Sequence, residues 1–331
     1  MADSSAQGTH TQATAPTKSY ILSCHCQKNI VELTLPLPIP APDHGTPFTD
    51  NGVCDCSHCL KRRVVWFFAP PGSVKVLKGG AADGSLKPYR FGTKSWDNMS
   101  CSECGTFLPG ASADSKGPIP INLRAIRNPD FDLWQLPLKQ YSGADRDPPY
   151  EPPQIPAGAE AYLAERAKHY QYETKVYVGG CHCKAVTFAV LHKPLEEVEL
   201  VDCACSICTG NGVLWAYPGR HDVFFHPSAS SSKPWQPDPS LVTRYTFGKG
   251  TNEHVVCNQC FCQIFEAREL LDQEDGEGWE EDNGNPGTFG INIALYNDIT
   301  EYLVESKTGL LKGLLKLTDA RDMEPVYQVK V

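Results

Sequence analysis

Two stretches of the chain alternate apolar and polar residues with a period of two. SCHCQKNIVELTL (23–35) places Val31, Leu33 and Leu35 on one side, and GCHCKAVTFAV (180–190) places Val186, Phe188 and Val190 likewise. Strict alternation predicts half-buried strands. IPINLRAI (119–126) and FGINIALY (289–296) form a second matched, strand-like pair. Helical periodicity is sparse. AEAYLAERAKHYQYE (159–173) puts Tyr162, Leu163, Ala167 and Tyr170 on one face, and GLLKGLLKL (309–317) groups Leu310, Leu311, Leu314 and Leu315. The first predicts a helix that either braces two domains or caps the second one; the other predicts a short core helix. The 27 Pro and 27 Gly add many turns and leave little room for long helix.

The matched pairs belong to a larger repeat. Cys24-His25-Cys26, Cys54-x-Cys56-x-x-Cys59 and Cys101-x-x-Cys104 return in the same order. The second set is Cys181-His182-Cys183, Cys203-x-Cys205-x-x-Cys208 and Cys257-x-x-Cys260. A domain-sized period means tandem duplication rather than a solenoid. The expected organisation is a disordered tail over 1–17, a first zinc domain over 18–140, a Pro-rich linker over 141–158 and a second zinc domain over 159–331. The second domain carries the bracing helix and an acidic insertion, QEDGEGWEEDNGNPG (273–287), read as a solvated loop.

Composition narrows the chemistry. Fifteen cysteines in 331 residues, without a basic, apolar secretory leader, point to metal binding in a reducing, intracellular setting, cytoplasmic or nuclear. The net charge of −9 disfavours a nucleic-acid partner, and no segment has the apolar length of a membrane span. Cys-x-x-Cys presents two sulfurs to one ion from a single tight turn. Each set of seven thiols divides naturally into four and three. Pairing the flanking dyads would close a structural zinc site and leave the triplet with an open position, the layout of a catalytic zinc. A triplet that recruits a flanking cysteine is the other division that the spacing allows. Two sites per domain give an expected four Zn²⁺ per chain.

The ordered motifs SCHC, CDCSHC and CSECGTFL, then GCHC, CACSIC-TGNGV and CNQC, resemble those of the glutathione-dependent formaldehyde-activating enzymes and centromere protein V. The resemblance spans roughly 18–140 and 174–305. It implies a mainly β fold of two tandem zinc-binding β-tent domains, an intramolecular pseudo-dimer. It implies structural ligands Cys24, Cys26, Cys101 and Cys104, then Cys181, Cys183, Cys257 and Cys260. It implies a second zinc on Cys54, Cys56 and Cys59, and on Cys203, Cys205 and Cys208. The activity implied is that of a carbon–sulfur lyase acting on a small thiol or thiol adduct; a non-catalytic zinc scaffold, or zinc acting as Lewis acid without glutathione, are the alternatives. The chain departs from the family at Asp55 and Ala204, where histidine is common, and at Phe261-Cys262, where Gly-Thr is common.

Other residues near the motifs carry their own expectations. Lys61, Arg62 and Arg63 read as a basic stretch on an exposed turn, or as a clamp for the carboxylates of an acidic thiol. His25 and His182 are expected to point away from the metal in supporting or surface positions. Asp55 and Asp202 read as solvated turn carboxylates or bases, and Cys262 as a small buried residue. Trp66, Phe67, Phe68, Trp215 and Tyr217 read as strand residues that fill the core or line a pocket.

Overall fold

The computed structural model describes residues 16–37, 48, 50–93, 97–108, 117–144, 149–250, 252–268, 289–297, 299 and 315–316. The acidic insertion, residues 1–15 of the expected tail and most of the segment 309–317 lie outside them. The first half runs β1 (Thr17–Ser23), β2 (Ile30–Pro36), β3 (Asn51–Cys54), α1 (Ser57–Arg62), β4 (Trp66–Ala69), β5 (Val74–Lys78), β6 (Leu86–Tyr89), β7 (Asn98–Cys101), β8 (Ile119–Asn122) and β9 (Lys139–Tyr141). Then come α2 (Ala159–Ala167), β10 (Lys175–Gly180), β11 (Thr187–His192), β12 (Leu200–Val201), α3 (Ser206–Asn211), β13 (Trp215–Ala216) and β14 (Val223–His226). The order closes with β15 (Ser228–Ser230), β16 (Lys233–Pro237), β17 (Val242–Thr246), β18 (Asn252–Cys257), β19 (Gln263–Arg268), β20 (Phe289–Asn292) and β21 (Leu315–Lys316).

The protein is mainly β, and the two halves repeat one topology. Sheet β1-β2-β5 matches β10-β11-β14, and the hairpin β6-β7 matches β17-β18. The order β8-β4-β3-β9 matches β20-β13-β12-β21, down to the parallel pairs β3/β9 and β12/β21. In the second half β19 joins the hairpin to that sheet, making seven strands. The alternation of Val31, Leu33 and Leu35 is realised as a buried face of β2, and Val186, Phe188 and Val190 are buried likewise.

Two expectations need correction, and one pair of alternatives is decided. Residues 315–316 form a strand rather than helix, because the parallel edge of β12 offers hydrogen bonds that an isolated turn lacks. IPINLRAI and FGINIALY are strands only to Asn122 and Asn292. Each asparagine side chain then accepts from the N–H two residues on and caps a single 3₁₀ turn. Helix α2 packs Leu163 against Ala189 and Leu191 of the second half's β11, so it caps that half. Strands also begin and end inside the expected tail and linker, at Thr17 and Tyr141. Among the described residues no helix is long and apolar enough to cross a membrane.

The hydrophobic cores are shared between the halves. Val201, Ile207, Cys208, Val213 and Trp215 bury themselves in the cluster built around Leu22, Leu33 and Ile121. Leu60 and Tyr89 pack against the cluster of the second half. Helices α1 and α3 each touch the 3₁₀ turn of the opposite half.

Candidate metal centres

The chain brings its cysteines into four groups. Cys24, Cys26, Cys101 and Cys104 form one set of four, and Cys181, Cys183, Cys257 and Cys260 the other, with sulfurs within 4.8 Å of one another in each. Sulfur separations are 3.5 and 3.4 Å across Cys24–Cys26 and Cys26–Cys101, and 3.5 and 3.6 Å across Cys181–Cys183 and Cys183–Cys257. A tetrahedral ion bound to thiolates at about 2.3 Å would space them about 3.8 Å apart. The donor sets therefore fit such an ion with a few tenths of an ångström of adjustment. All fifteen cysteines are free thiols.

Each set is built from two tight turns. After Cys24 and Cys181 the chain turns through Gln27 and Lys184, both at positive φ. At the other dyad, Gly105 takes φ +73° and its N–H returns to the Cys101 carbonyl. Phe261 stands in that position in the second half, adopts φ 58° and makes the same bond to Cys257. The departure from Gly-Thr therefore keeps the turn and adds local backbone strain.

The triplets, Cys54/Cys56/Cys59 and Cys203/Cys205/Cys208, form the remaining two groups. Among the described residues no His, Cys, Asp or Glu adds a fourth ligand atom to either. Cys56 and Cys205 occupy the N-cap positions of α1 and α3, and Cys59 and Cys208 lie inside the first turn. One short helical turn thus gathers ligands that are two and three residues apart. Trp66 Nε1 donates to Cys59 Sγ at 3.3 Å, and Trp215 Nε1 to Cys208 Sγ at 3.3 Å. These indoles act on a sulfur of the candidate site, a role the strand reading missed. The signal was present as a tryptophan seven residues after the last triplet cysteine in both copies. Without a cation, hydrogen bonds from Cys54 and Cys56 together with burial hold the Cys59 thiol well above its ordinary pKa. A bound cation opposes both effects.

Lys61, Arg62 and Arg63 are buried rather than exposed, because α1 ends against the second half. Lys61 Nζ donates to the carbonyls of Gly180 and Leu295 at 3.1 and 2.8 Å. Arg62 donates to Cys260 O and Gly105 O at 3.0 and 2.6 Å. Arg63, in the left-handed conformation that ends the helix, makes a two-point ion pair with Asp202 at 2.9 and 2.6 Å. Asp202 is thus a buried counter-ion and neither a solvated carboxylate nor a base. The helix ends cross so closely that a Cβ on Gly212 would lie 2.0 Å from Arg62 O. Their charged groups are engaged by carbonyls and by Asp202, mostly of the other half, which leaves none of the three to clamp a thiol's carboxylates.

The contacts are reciprocal. Asn211, opposite Arg62 in the repeat, donates to Cys104 O at 3.0 Å. His182 Nδ1 bonds Tyr89 Oη at 2.7 Å, and His25 Nδ1 bonds Tyr245 Oη at 2.8 Å. The two tyrosines belong to Tyr89-Arg90-Phe91-Gly92 and Tyr245-Thr246-Phe247-Gly248, a repeated motif legible in the chain but outside the cysteine pattern. Both histidines are buried and neutral, held at about 4 chiefly by desolvation, so they support the opposite half and occupy no surface. Cys262 is buried in the core outside the four-thiol set.

A cavity of about 780 Å³ opens at the first triplet. Cys56, Ser57 and Lys61 line it from α1, Tyr89 and Phe91 from the hairpin, Tyr150 from the connection, and His182 and Cys183 from the second half. His182 Nε2 bonds Ser57 Oγ at 2.9 Å, and its ring stacks on Tyr150 at 5.0 Å. Asp55 accepts from the N–H groups of Gly143 and Ala144 at 2.6 and 2.9 Å, which fixes that wall. Phe67 is buried, whereas Phe68 is 39% exposed.

No family model matches the chain. A crystal structure of a protein from Rhodobacter sphaeroides is 22% identical, over a match covering 33% of this chain and 90% of that one, with a TM-score of 0.26. At that score the likeness supports no conclusion about function.

Proposed function

We propose that this chain is a zinc-dependent enzyme that acts on thiol adducts, in the manner of a carbon–sulfur lyase, at the Cys54/Cys56/Cys59 group. The observation that carries the reading is a three-thiol group with no fourth ligand among the described residues, opening through Cys56 onto the large cavity. All-thiolate tetrahedra favour zinc among common divalent ions. The resemblance of the ordered motifs to the formaldehyde-activating enzymes supports the reaction class. Zinc at the triplet would supply a stabilised thiolate and a polarised oxygen.

The chain's own residues supply the rest. The rings of Tyr89, Phe91 and Tyr150 shield the cavity and give an apolar wall for the body of an adduct. Neutral His182 donates through one nitrogen and accepts through the other, so it fixes the hydroxyls of Tyr89 and Ser57. Ser57 Oγ lines the cavity beside Cys56, where it can hold the oxygen of a hemithioacetal-like adduct. Lys61 is fixed by two carbonyls; burial lowers it to about 8, still above neutrality, so the wall carries a positive charge at pH 7. Anionic groups of a substrate would meet Arg90 and Lys184, which also line the cavity.

The zinc-loaded chain should accelerate exchange between glutathione and formaldehyde, read by NMR line exchange. Cys56→Ser should lose roughly tenfold or more of that rate while keeping its fold. Equal rates in the two proteins would exclude catalysis at this group and favour a zinc scaffold.

A further inference from the structure

Each triplet helix is crossed by the 3₁₀ turn of the opposite half. The residues that leave this turn are Asn297 at the first triplet and Arg127 at the second, opposite one another in the repeat. Their backbones are held alike: the Asn297 N–H donates to Val178 O at 2.9 Å, and the Arg127 N–H to Ile21 O at 2.8 Å. The two side chains therefore set out from matching points. Asn297 is short, donates to Pro153 O at 2.9 Å and lines the large cavity together with Ser57 and Lys61. Arg127 reaches further. Its Nη1 donates to Ser206 O at 2.7 Å, and a Cβ on Gly210 would lie 3.1 Å from its Nη2. Ser206 and Gly210 are the counterparts of Ser57 and Lys61. At the second triplet the guanidinium thus lies against the counterparts of residues that line the cavity at the first.

One buried cation serves each crossing, and it arrives from opposite sides. At the first, Lys61 of α1 donates to Gly180 O at 3.1 Å. At the second, Ser23 O stands opposite Gly180 O in the repeat and accepts from Arg127 Nε and Nη2 at 3.0 and 2.5 Å. A buried carbonyl requires a donor. Gly210 has no side chain to supply one, and Arg127 takes its place. The exchange of sides has a consequence for access: a cation carried by the helix leaves the Asn297 side empty, whereas Arg127 bridges Ser23 and α3 and is only 7% exposed. Among the described residues, neither the large cavity nor a smaller one of about 330 Å³ is lined by Cys203, Cys205 or Cys208. Cys203 and Cys205 are half-buried, as Cys54 and Cys56 are, so the difference lies in the wall and not in the depth of the sulfurs.

Building on the open first triplet of the preceding section, we propose that Arg127 closes the second triplet to ligands, so that the duplicated chain takes up one small thiol and not two. The second triplet is then a metal group without a ligand site, and the side from which the buried cation arrives decides which copy is open.

The test uses the full chain loaded with Co²⁺, whose visible absorption on thiolate ligands changes when a further ligand binds. The probe is 2-mercaptoethanol, with cobalt content measured in every protein. Cys205→Ser, which keeps only the first triplet, should respond as the parent does. Cys56→Ser, which keeps only the second, should need at least about tenfold more thiol or give no response. Adding Arg127→Asn and Gly210→Lys to Cys56→Ser returns the cation to the helix, and should bring the response within about tenfold of the parent's. Arg127→Lys in the same background keeps a donor for Ser23 O, withdraws the one on Ser206 O and should restore part of the response, so the result does not hang on the folding of the swapped crossing. A response in Cys56→Ser equal to the parent's, loss of the second triplet's ion from Cys56→Ser, or silence in both Arg127 variants would each overturn the proposal. Silence in the parent would instead contradict the open first triplet, and a response gained by the Arg127 variants would still support closure of the second.

Discussion

Replacing Asp202 by alanine would strand a guanidinium at the crossing of the two halves. Arg63 and Asp202 are 1% and 3% exposed and meet through two short contacts, the closer at 2.6 Å. Two unit charges about 3 Å apart attract by roughly 5–6 kcal/mol at an effective dielectric constant of 20. Arg63 Nη1 keeps its bond to Val213 O at 2.8 Å, which offsets part of the loss. The expected cost of Asp202→Ala is about 3–5 kcal/mol, the range for removing one partner of a buried pair. The double variant Arg63→Met/Asp202→Leu removes both charges and should recover most of that, ending within about 1 kcal/mol of the parent. Urea unfolding at matched metal content measures all three proteins, and hydrogen exchange over 57–64 and 200–215 localises the effect. A cost below about 1 kcal/mol for Asp202→Ala would refute the buried-pair argument. So would a double variant as unstable as the single one.

Other outcomes follow from the same geometry. Cys26→Ser and Cys183→Ser should each lose one metal ion and unfold the half concerned, whereas Cys56→Ser and Cys205→Ser should lose a metal ion with the fold retained, as read by metal analysis and circular dichroism. Gly143→Ala would drive a Cβ to 2.3 Å from Cys54 Sγ and should empty the first triplet selectively; retained metal there would show that this wall yields. Burial depresses His254 from 6.5 to about 4, so the unfolded chain binds more protons between those values. Stability is then full above about pH 6.5 and falls toward pH 4 by roughly 3 kcal/mol from this group. His254→Gln should flatten that slope, and an unchanged slope would count against the burial argument.

The cysteine groups were legible because a dyad or triplet is a local object. The turn that presents Cys101 and Cys104 is encoded within five residues, Cys101 to Gly105, and recurs at Cys257 to Phe261 even with a bulky residue at positive φ. The strands of the repeat were legible for the same reason, through a period of two. What escaped was the contact between halves. Leu60-Lys61-Arg62-Arg63 looks like a solvated turn, since its compensating partners are carbonyls at Gly180, Cys260 and Leu295 and a carboxylate at Asp202. Charge burial depends on partners more than a hundred residues away, and periodicity carries no trace of them. Leu315 and Lys316 failed as helix for a related reason, because the edge of β12 decides their conformation. The Tyr-x-Phe-Gly repeat and the paired tryptophans, by contrast, could have been read directly from the duplication.

The central claim is that the first triplet holds an ion with one position free for a thiol. A crystal structure of the zinc-loaded chain soaked with glutathione tests it most directly. The account predicts zinc on Cys54, Cys56 and Cys59 with the glutathione sulfur as fourth ligand, lying in the cavity between Tyr89, Tyr150 and His182. A fourth ligand supplied by the protein itself, with glutathione absent from the cavity, would contradict it.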